Sequence, residues 1–191
     1  ELKLLELKLT GENKGKNGYG ETEDPSTWIW TESDLIMVDL IKELHRNGIR
    51  VIFDGVFNHS SNRHWSFNQV LMEGENSKYK NWYKFSDFSK HIKIEDGMSY
   101  NLEFKSYIFN ITKKCLLGHD AKVSKNWYED DGIDGFRLDV PNCLENQDFW
   151  IEWREVVKST KKDTYITAEL WGNASYDINQ GNKFDAVMNN E

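Results

Sequence analysis

The sequence contains no apolar run approaching the roughly 18 residues that a membrane-crossing helix needs, which excludes a helical membrane span. Its start, ELKLLELKLTGENKG, lacks a basic segment followed by an apolar one, so it does not read as a secretory signal. It also lacks an initiator Met, and this reads as a processed or partial chain. Cysteine is scarce: Cys115 and Cys143 are the only two, and they form no metal-binding spacing. Reduced, buried thiols are expected, which favours a reducing, cytoplasmic setting. Positive charge is in deficit, with a net charge of −8, so a nucleic-acid partner is not expected. No repeat recurs at a fixed period.

Aromatic residues, in contrast, are plentiful: 14% of the 191 residues, eight of them Trp. Flat rings suit sugar faces, but any single one is expected to fill a core. Residues 10–28 are rich in Gly, Asn, Glu and Lys and read as loop. Thr31 and Asp34 have capping-box spacing. The helix that follows is expected to bury one face made of Ile36, Leu40 and Leu44 with Met37 and Ile41, and to stop at Asn47-Gly48. IRVIF (49–53) reads as a strand buried on both faces of a parallel sheet. Residues 60–103 are polar and aromatic with weak periodicity, which predicts an irregular insertion. A ragged helix is expected around 106–130, with Ile111, Leu116 and Trp127 on its apolar face. Further strands are read at 133–140, 165–170 and from Phe184. Between the first two lies a helix capped by Asn146 that carries Phe149, Trp150, Trp153, Val156 and Val157. Alternating helices and buried strands indicate a parallel α/β sheet.

In such sheets ligands bind beyond the carboxyl ends of the strands. Asp54, Arg137, Asp139 and Glu169 lie at those ends, with Asn58, His59 and Trp171 close behind. Any one carboxylate there is more often a loop acceptor or helix cap than a catalyst. Asn58 and His59 by themselves read as turn residues, and Arg137 with Asp139 as an ordinary ion pair. Convergence of three strands changes the balance, because several charges at one rim are costly unless paired or used. Two carboxyl groups, one ionised and one protonated, are what a retaining glycosidase needs. Arg137, two residues from Asp139 on one strand, would keep Asp139 ionised. Glu169 follows about one βα unit later.

DGVFNH (54–59), GFRLDV (135–140) and AELW (168–171) resemble, in order and spacing, three regions of the α-amylase superfamily of glycosidases. SKYKNWY (77–83), GIDGFRLDVPN (132–142) and FDAVMN (184–189) are similar to the neopullulanase, cyclomaltodextrinase and maltogenic amylase group. The resemblance implies the central part of a (β/α)8 TIM barrel, an α/β fold, with a small irregular insertion after its third strand. Barrel segments would be 1–59 and 104–191, and the inserted subdomain 60–103. It implies Asp139 as nucleophile, Glu169 as general acid/base and Arg137 as the residue that orients the nucleophile. It further implies that His59, Asp54 and Trp171 bind or support substrate, and that Asn58 is a calcium ligand. The implied partner is an α-glucan oligosaccharide, cleaved at α-1,4 or α-1,6 bonds, and the implied parent is a cytoplasmic homodimer. FKSYIFNIT (104–112) lacks the Pro of the matching family motif, and Asn142 and Cys143 depart from its sugar- and calcium-binding positions. A later essential Asp of the family is not reached. Little activity and self-association are therefore expected of the 191-residue chain alone. The opposing reading is an inactive, truncated or scaffolding relative.

Overall fold

The helix Glu32–Arg46 (α1) begins where a local hydrogen-bond exchange makes it begin. Thr31 accepts from the Asp34 N–H through its side chain, and Asp34 returns the bond to the Thr31 N–H, which satisfies two otherwise orphaned donors. The computed structural model describes residues 21–61, 63–85, 94–98, 102–144 and 146–188. The loop reading of 10–28 therefore falls partly outside the described residues.

Two compact units are present, Glu1–Ile29 with His59–Tyr107, and Trp30–Asn58 with Ile108–Glu191. The second carries the sheet. Its strands are β1 (Ile52–Gly55), β4 (Gly135–Leu138), β5 (Tyr165–Ala168) and β6 (Ala186–Val187), all parallel, in that spatial order. Between them in sequence run α3 (Leu102–Leu117), whose second half belongs to this unit, α4 (Asp148–Thr160), and a short helix, α5 (Ser175–Asn179). Asn146, expected to cap α4, accepts from the Asp148 N–H at 3.0 Å but stands one residue before the cap, which is Gln147 and makes no side-chain capping bond. Phe149, Trp150, Trp153 and Val157 form the buried face of α4. Against Trp150 and Trp153 packs Phe57, and Trp153 donates to Thr112 Oγ1 of α3 at 2.8 Å.

Two expectations about burial are corrected. Ile36, Met37 and Leu40 of α1 are exposed, and the buried face is Val38, Ile41 and His45. His45 points inward to the Asp134 carboxylate, on the same buried face as Val38 and Ile41. Likewise β1 is not buried on both faces. Ile49 and Ile52 are exposed, because among the described residues β1 is an edge strand, paired on one side only. Trp127 lies outside α3, in a separate turn (Trp127–Glu129), where its ring meets His45 edge-on.

A buried charge cluster ties the amino ends of the strands together. Asp134 Oδ2 contacts His45 Nε2 at 2.7 Å and accepts the Val51 N–H at 2.9 Å. Lys161, at the end of α4, reaches the Ile133 carbonyl, Asp130 and Asp134 at 3.0, 3.1 and 3.4 Å. His45 Nδ1 must donate to the Asp130 carbonyl, 2.8 Å away, since a carbonyl oxygen only accepts. All four side chains are buried.

The other unit contains α2 (Trp65–Glu73) and a hairpin of β2 (Tyr83–Phe85) with β3 (Ile94–Met98). Weak periodicity concealed α2 because its buried residues, Trp65, Ser66, Phe67 and Val70, include a serine. Trp65, Tyr79, Trp82, Phe104 and Tyr107 form an aromatic core. The sequence reading placed 1–59 wholly with the barrel. The structure instead clusters residues before Trp30 with this unit, through Trp28 against Tyr107 and Glu23 with Lys78 and Tyr79.

Two predictions concern stability. Asp134→Ala strands His45, Lys161 and the Val51 N–H, and should cost about 3–5 kcal/mol in urea denaturation. A loss under about 1 kcal/mol would show that the cluster does not hold the sheet. His64 is half-buried beside Ser66 and Tyr107, and desolvation lowers its pKa from 6.5 to about 4. Folding thus favours the neutral ring. This contribution is complete above pH 6.5 and is lost as pH falls toward 4, by roughly 3 kcal/mol in total at about 1.4 kcal/mol per pH unit. Replacing His64 with Phe should flatten the stability profile in that window, measured by denaturation at several pH values.

Candidate active site

Parallel register brings the rim together. Asp54 lies directly across from Arg137, and Leu138 across from Ala168. The ladder extends one step beyond the strands: Asp139 N–H donates to the Gly55 carbonyl at 3.1 Å, and Glu169 N–H to that of Leu138 at 2.9 Å. Asp139 and Glu169 therefore leave adjacent strands at their carboxyl ends. Gly135, at the start of β4, allows β5 to approach closely, because a Cβ there would come within 2.6 Å of the Tyr165 carbonyl.

Arg137 gathers the site. One of its terminal nitrogens (Nη1) lies 2.7 Å from Asp54 Oδ1 and 2.9 Å from Asp139 Oδ1, and the other (Nη2) is 2.7 Å from Glu169 Oε2. Its Nε donates to Met188 Sδ, just past β6, at 3.5 Å. One planar guanidinium thus contacts groups from all four strands, a geometry that the point charge of a lysine does not reproduce. The bond to Asp54, and further that to Asp139, push the arginine pKa above its ordinary value. Glu169 Oε2 also accepts the Val140 N–H at 3.4 Å. Val140 has φ 32° and ψ 57°, a left-handed backbone that is costly for a β-branched residue. It turns the chain directly after Asp139.

Four of the residues singled out from the sequence, Asp54, Arg137, Asp139 and Glu169, are therefore in mutual contact through Arg137. Trp171 stands two residues after Glu169 and is 65% exposed, unlike the buried Trp65, Trp82, Trp150 and Trp153. Asn58 closes the same unit, whereas His59 is exposed and belongs to the other. The parts played by Val140 and Met188 were missed. A left-handed valine has no sequence signature, and Met188 comes into reach only through the pairing of β5 with β6.

Calcium at Asn58 rests on the resemblance alone. A calcium ion takes about six to eight oxygens, and one amide supplies one. Among the described residues, the one grouping of three His, Cys, Asp or Glu ligand atoms is elsewhere, at His119, Asp120 and Asp131.

A parallel sheet with helices between its strands, and with ionisable side chains gathered at the carboxyl ends, is the layout of the α/β barrel enzymes. The chain belongs to the α-amylase catalytic-domain family, whose model matches residues 31–190. It is 38% identical to a cyclomaltodextrinase of a Bacillus species, over 79% of this chain and 28% of the relative. It is 37% identical to neopullulanase 2 of Thermoactinomyces vulgaris, over 78% and 26%. Among solved structures, a cyclic α-maltosyl-(1→6)-maltose hydrolase of Arthrobacter globiformis, in complex with that sugar, matches with a TM-score of 0.66. That match has 28% identity and covers 82% of this chain and 35% of the other. The chain thus spans little more than a quarter of the curated relatives' length. Its parallel sheet is part of the family's (β/α)8 barrel. No helix among the described residues is long and apolar enough to cross a membrane.

Arg137→Ala should leave three carboxylates without their shared cation. The expected loss near pH 7 is on the order of 1–2 kcal/mol, discounted for partial exposure. The deficit should shrink at high salt, which screens partly exposed charges. A deficit that stays constant with salt in denaturation curves would mean that Arg137 acts by packing alone.

Proposed function

We propose that the protein is an α-glucan hydrolase of the retaining type, with Asp139 as nucleophile and Glu169 as general acid/base. The observation that carries this reading is the single guanidinium of Arg137, which holds both carboxylates at the ends of adjacent strands. A retaining pair works at about 5–5.5 Å, and two groups sharing one guanidinium suit such a distance. The names of the cyclomaltodextrinase and neopullulanase relatives support maltooligosaccharides, cyclodextrins or pullulan as substrates, cleaved at α-1,4 bonds with α-1,6 bonds as a second linkage.

In the first step an Asp139 oxygen bonds to the anomeric carbon while the glycosidic C–O bond breaks. Glu169 gives its proton to the departing oxygen. For this the Arg137–Glu169 contact opens, and Glu169 swings to the leaving group. Arg137 stays on Asp139 and Asp54, which fixes the nucleophile's rotamer. In the second step Glu169 takes a proton from water. The water oxygen bonds to the anomeric carbon, the ester to Asp139 breaks, and two inversions restore the configuration. Trp171 offers an exposed aromatic face on which a sugar ring can stack.

The two roles separate in a trapping experiment on the full reading frame. Asp139→Ala should remove nearly all turnover of every substrate, because no ester forms. Glu169→Gln should turn over maltooligosaccharides very slowly yet react with a glycosyl fluoride, whose leaving group needs little protonation. Mass spectrometry should then find a sugar on the peptide that contains Asp139. Label on Glu169 would exchange the roles, and product of inverted configuration would rule out the retaining mechanism.

A further inference from the structure

Away from the rim, where α3 ends and the chain turns back toward β4, the structure assigns a divalent-metal site of the zinc class to His119, Asp120 and Asp131. One ligand atom from each of these residues lies within 4.8 Å of the other two. A point therefore exists no more than about 2.8 Å from all three. Zinc bonds to nitrogen and carboxylate oxygen at about 2.0–2.2 Å, so closure by up to about 0.7 Å from each side completes the contacts. His119 and Asp120 are exposed and free to make that adjustment.

A second observation points to a ligand. Asp131 is only 2% exposed, and its Oδ1 is buried without a hydrogen-bond partner. Its Oδ2 accepts the Asp120 N–H at 3.0 Å and lies 3.7 Å from Lys42 Nζ. A buried carboxylate with an unused oxygen is costly unless a cation or donor meets it. This carboxylate faces the side of the turn that carries His119 and Asp120. The turn is built around it: a Cβ on Gly118, whose φ is +66°, would sit 2.1 Å from Asp131 Oδ1. His119 is steadied by the Trp30 ring, with centroids 5.5 Å apart, and its Nδ1 lies 3.9 Å from Asp120 Oδ1.

The donor set selects the metal. One imidazole and two carboxylates suit zinc, cobalt or nickel, whereas calcium and magnesium favour oxygen alone. Three protein ligands leave a fourth, tetrahedral position for water. Two lysines hold the carboxylates at present, Lys42 near Asp131 and Lys122 at 3.0 Å from Asp120 Oδ2. A metal ion displaces at least Lys122. Once bound, it would join the end of α3 to the segment that leads into β4, the strand that carries Arg137.

Titration of the full chain with zinc chloride, followed by calorimetry, tests the site. One zinc per chain is expected, with a rise in Tm at saturation. Calcium chloride should give neither. His119→Ala and Asp120→Ala change exposed side chains and should fold normally by circular dichroism, yet bind zinc at least tenfold more weakly and lose the Tm shift. Lys122→Ala removes the competing cation and should tighten binding. The inference is overturned if the wild-type chain shows no saturable zinc binding. It is overturned equally if calcium binds in preference, or if zinc affinity is unchanged in His119→Ala and Asp120→Ala.

Discussion

The sheet-bearing unit depends on the carboxylate of Asp134. It holds α1 through His45, the chain entering β1 through the Val51 N–H, and the end of α4 through Lys161. Its backbone continues the ladder on both sides, to Val51 and to Tyr165. Desolvating several charges is expensive, and the cluster repays that cost only because nearly every donor and acceptor in it is met. A slipped register would break several of these contacts together, so the cluster favours one alignment of three strands over its neighbours.

That alignment has its effect at the opposite end of the strands. With Asp54 across from Arg137 and Leu138 across from Ala168, the next residues out are Asp139 and Glu169. Three carboxylates then converge on one arginine. The amino ends of the strands carry the cluster around Asp134, and the carboxyl ends carry the one around Arg137. The same division appears among the tryptophans. Trp150 and Trp153 fill the core behind the strands, while Trp171 stays in solvent beside Glu169.

Asp54, Arg137, Asp139 and Glu169 were legible because each closes a short apolar run, and short apolar runs with helices between them indicate a parallel sheet. The capping box at Thr31 and Asp34 was legible because it is wholly local. Burial was less legible. Ile36, Met37 and Leu40 form an apolar stripe at helical spacing, yet the helix turns His45 inward instead. Hydrophobic periodicity could not anticipate His45, whose carboxylate partner lies 89 residues away in sequence.

The sequence by itself determined the helices α1 and α4 and the parallel strands, where α1 starts, and which ionisable residues stand at strand ends. Those features follow from dihedral preference, capping and alternation over a few residues. Tertiary structure alone decided that one guanidinium joins four strands, that Val140 turns left-handed behind the nucleophile candidate, and that Asp131 is buried near His119 and Asp120. Each of these depends on register and rotation between elements distant in sequence. They are set by which polar groups find partners once the strands pair, and no local pattern encodes that outcome.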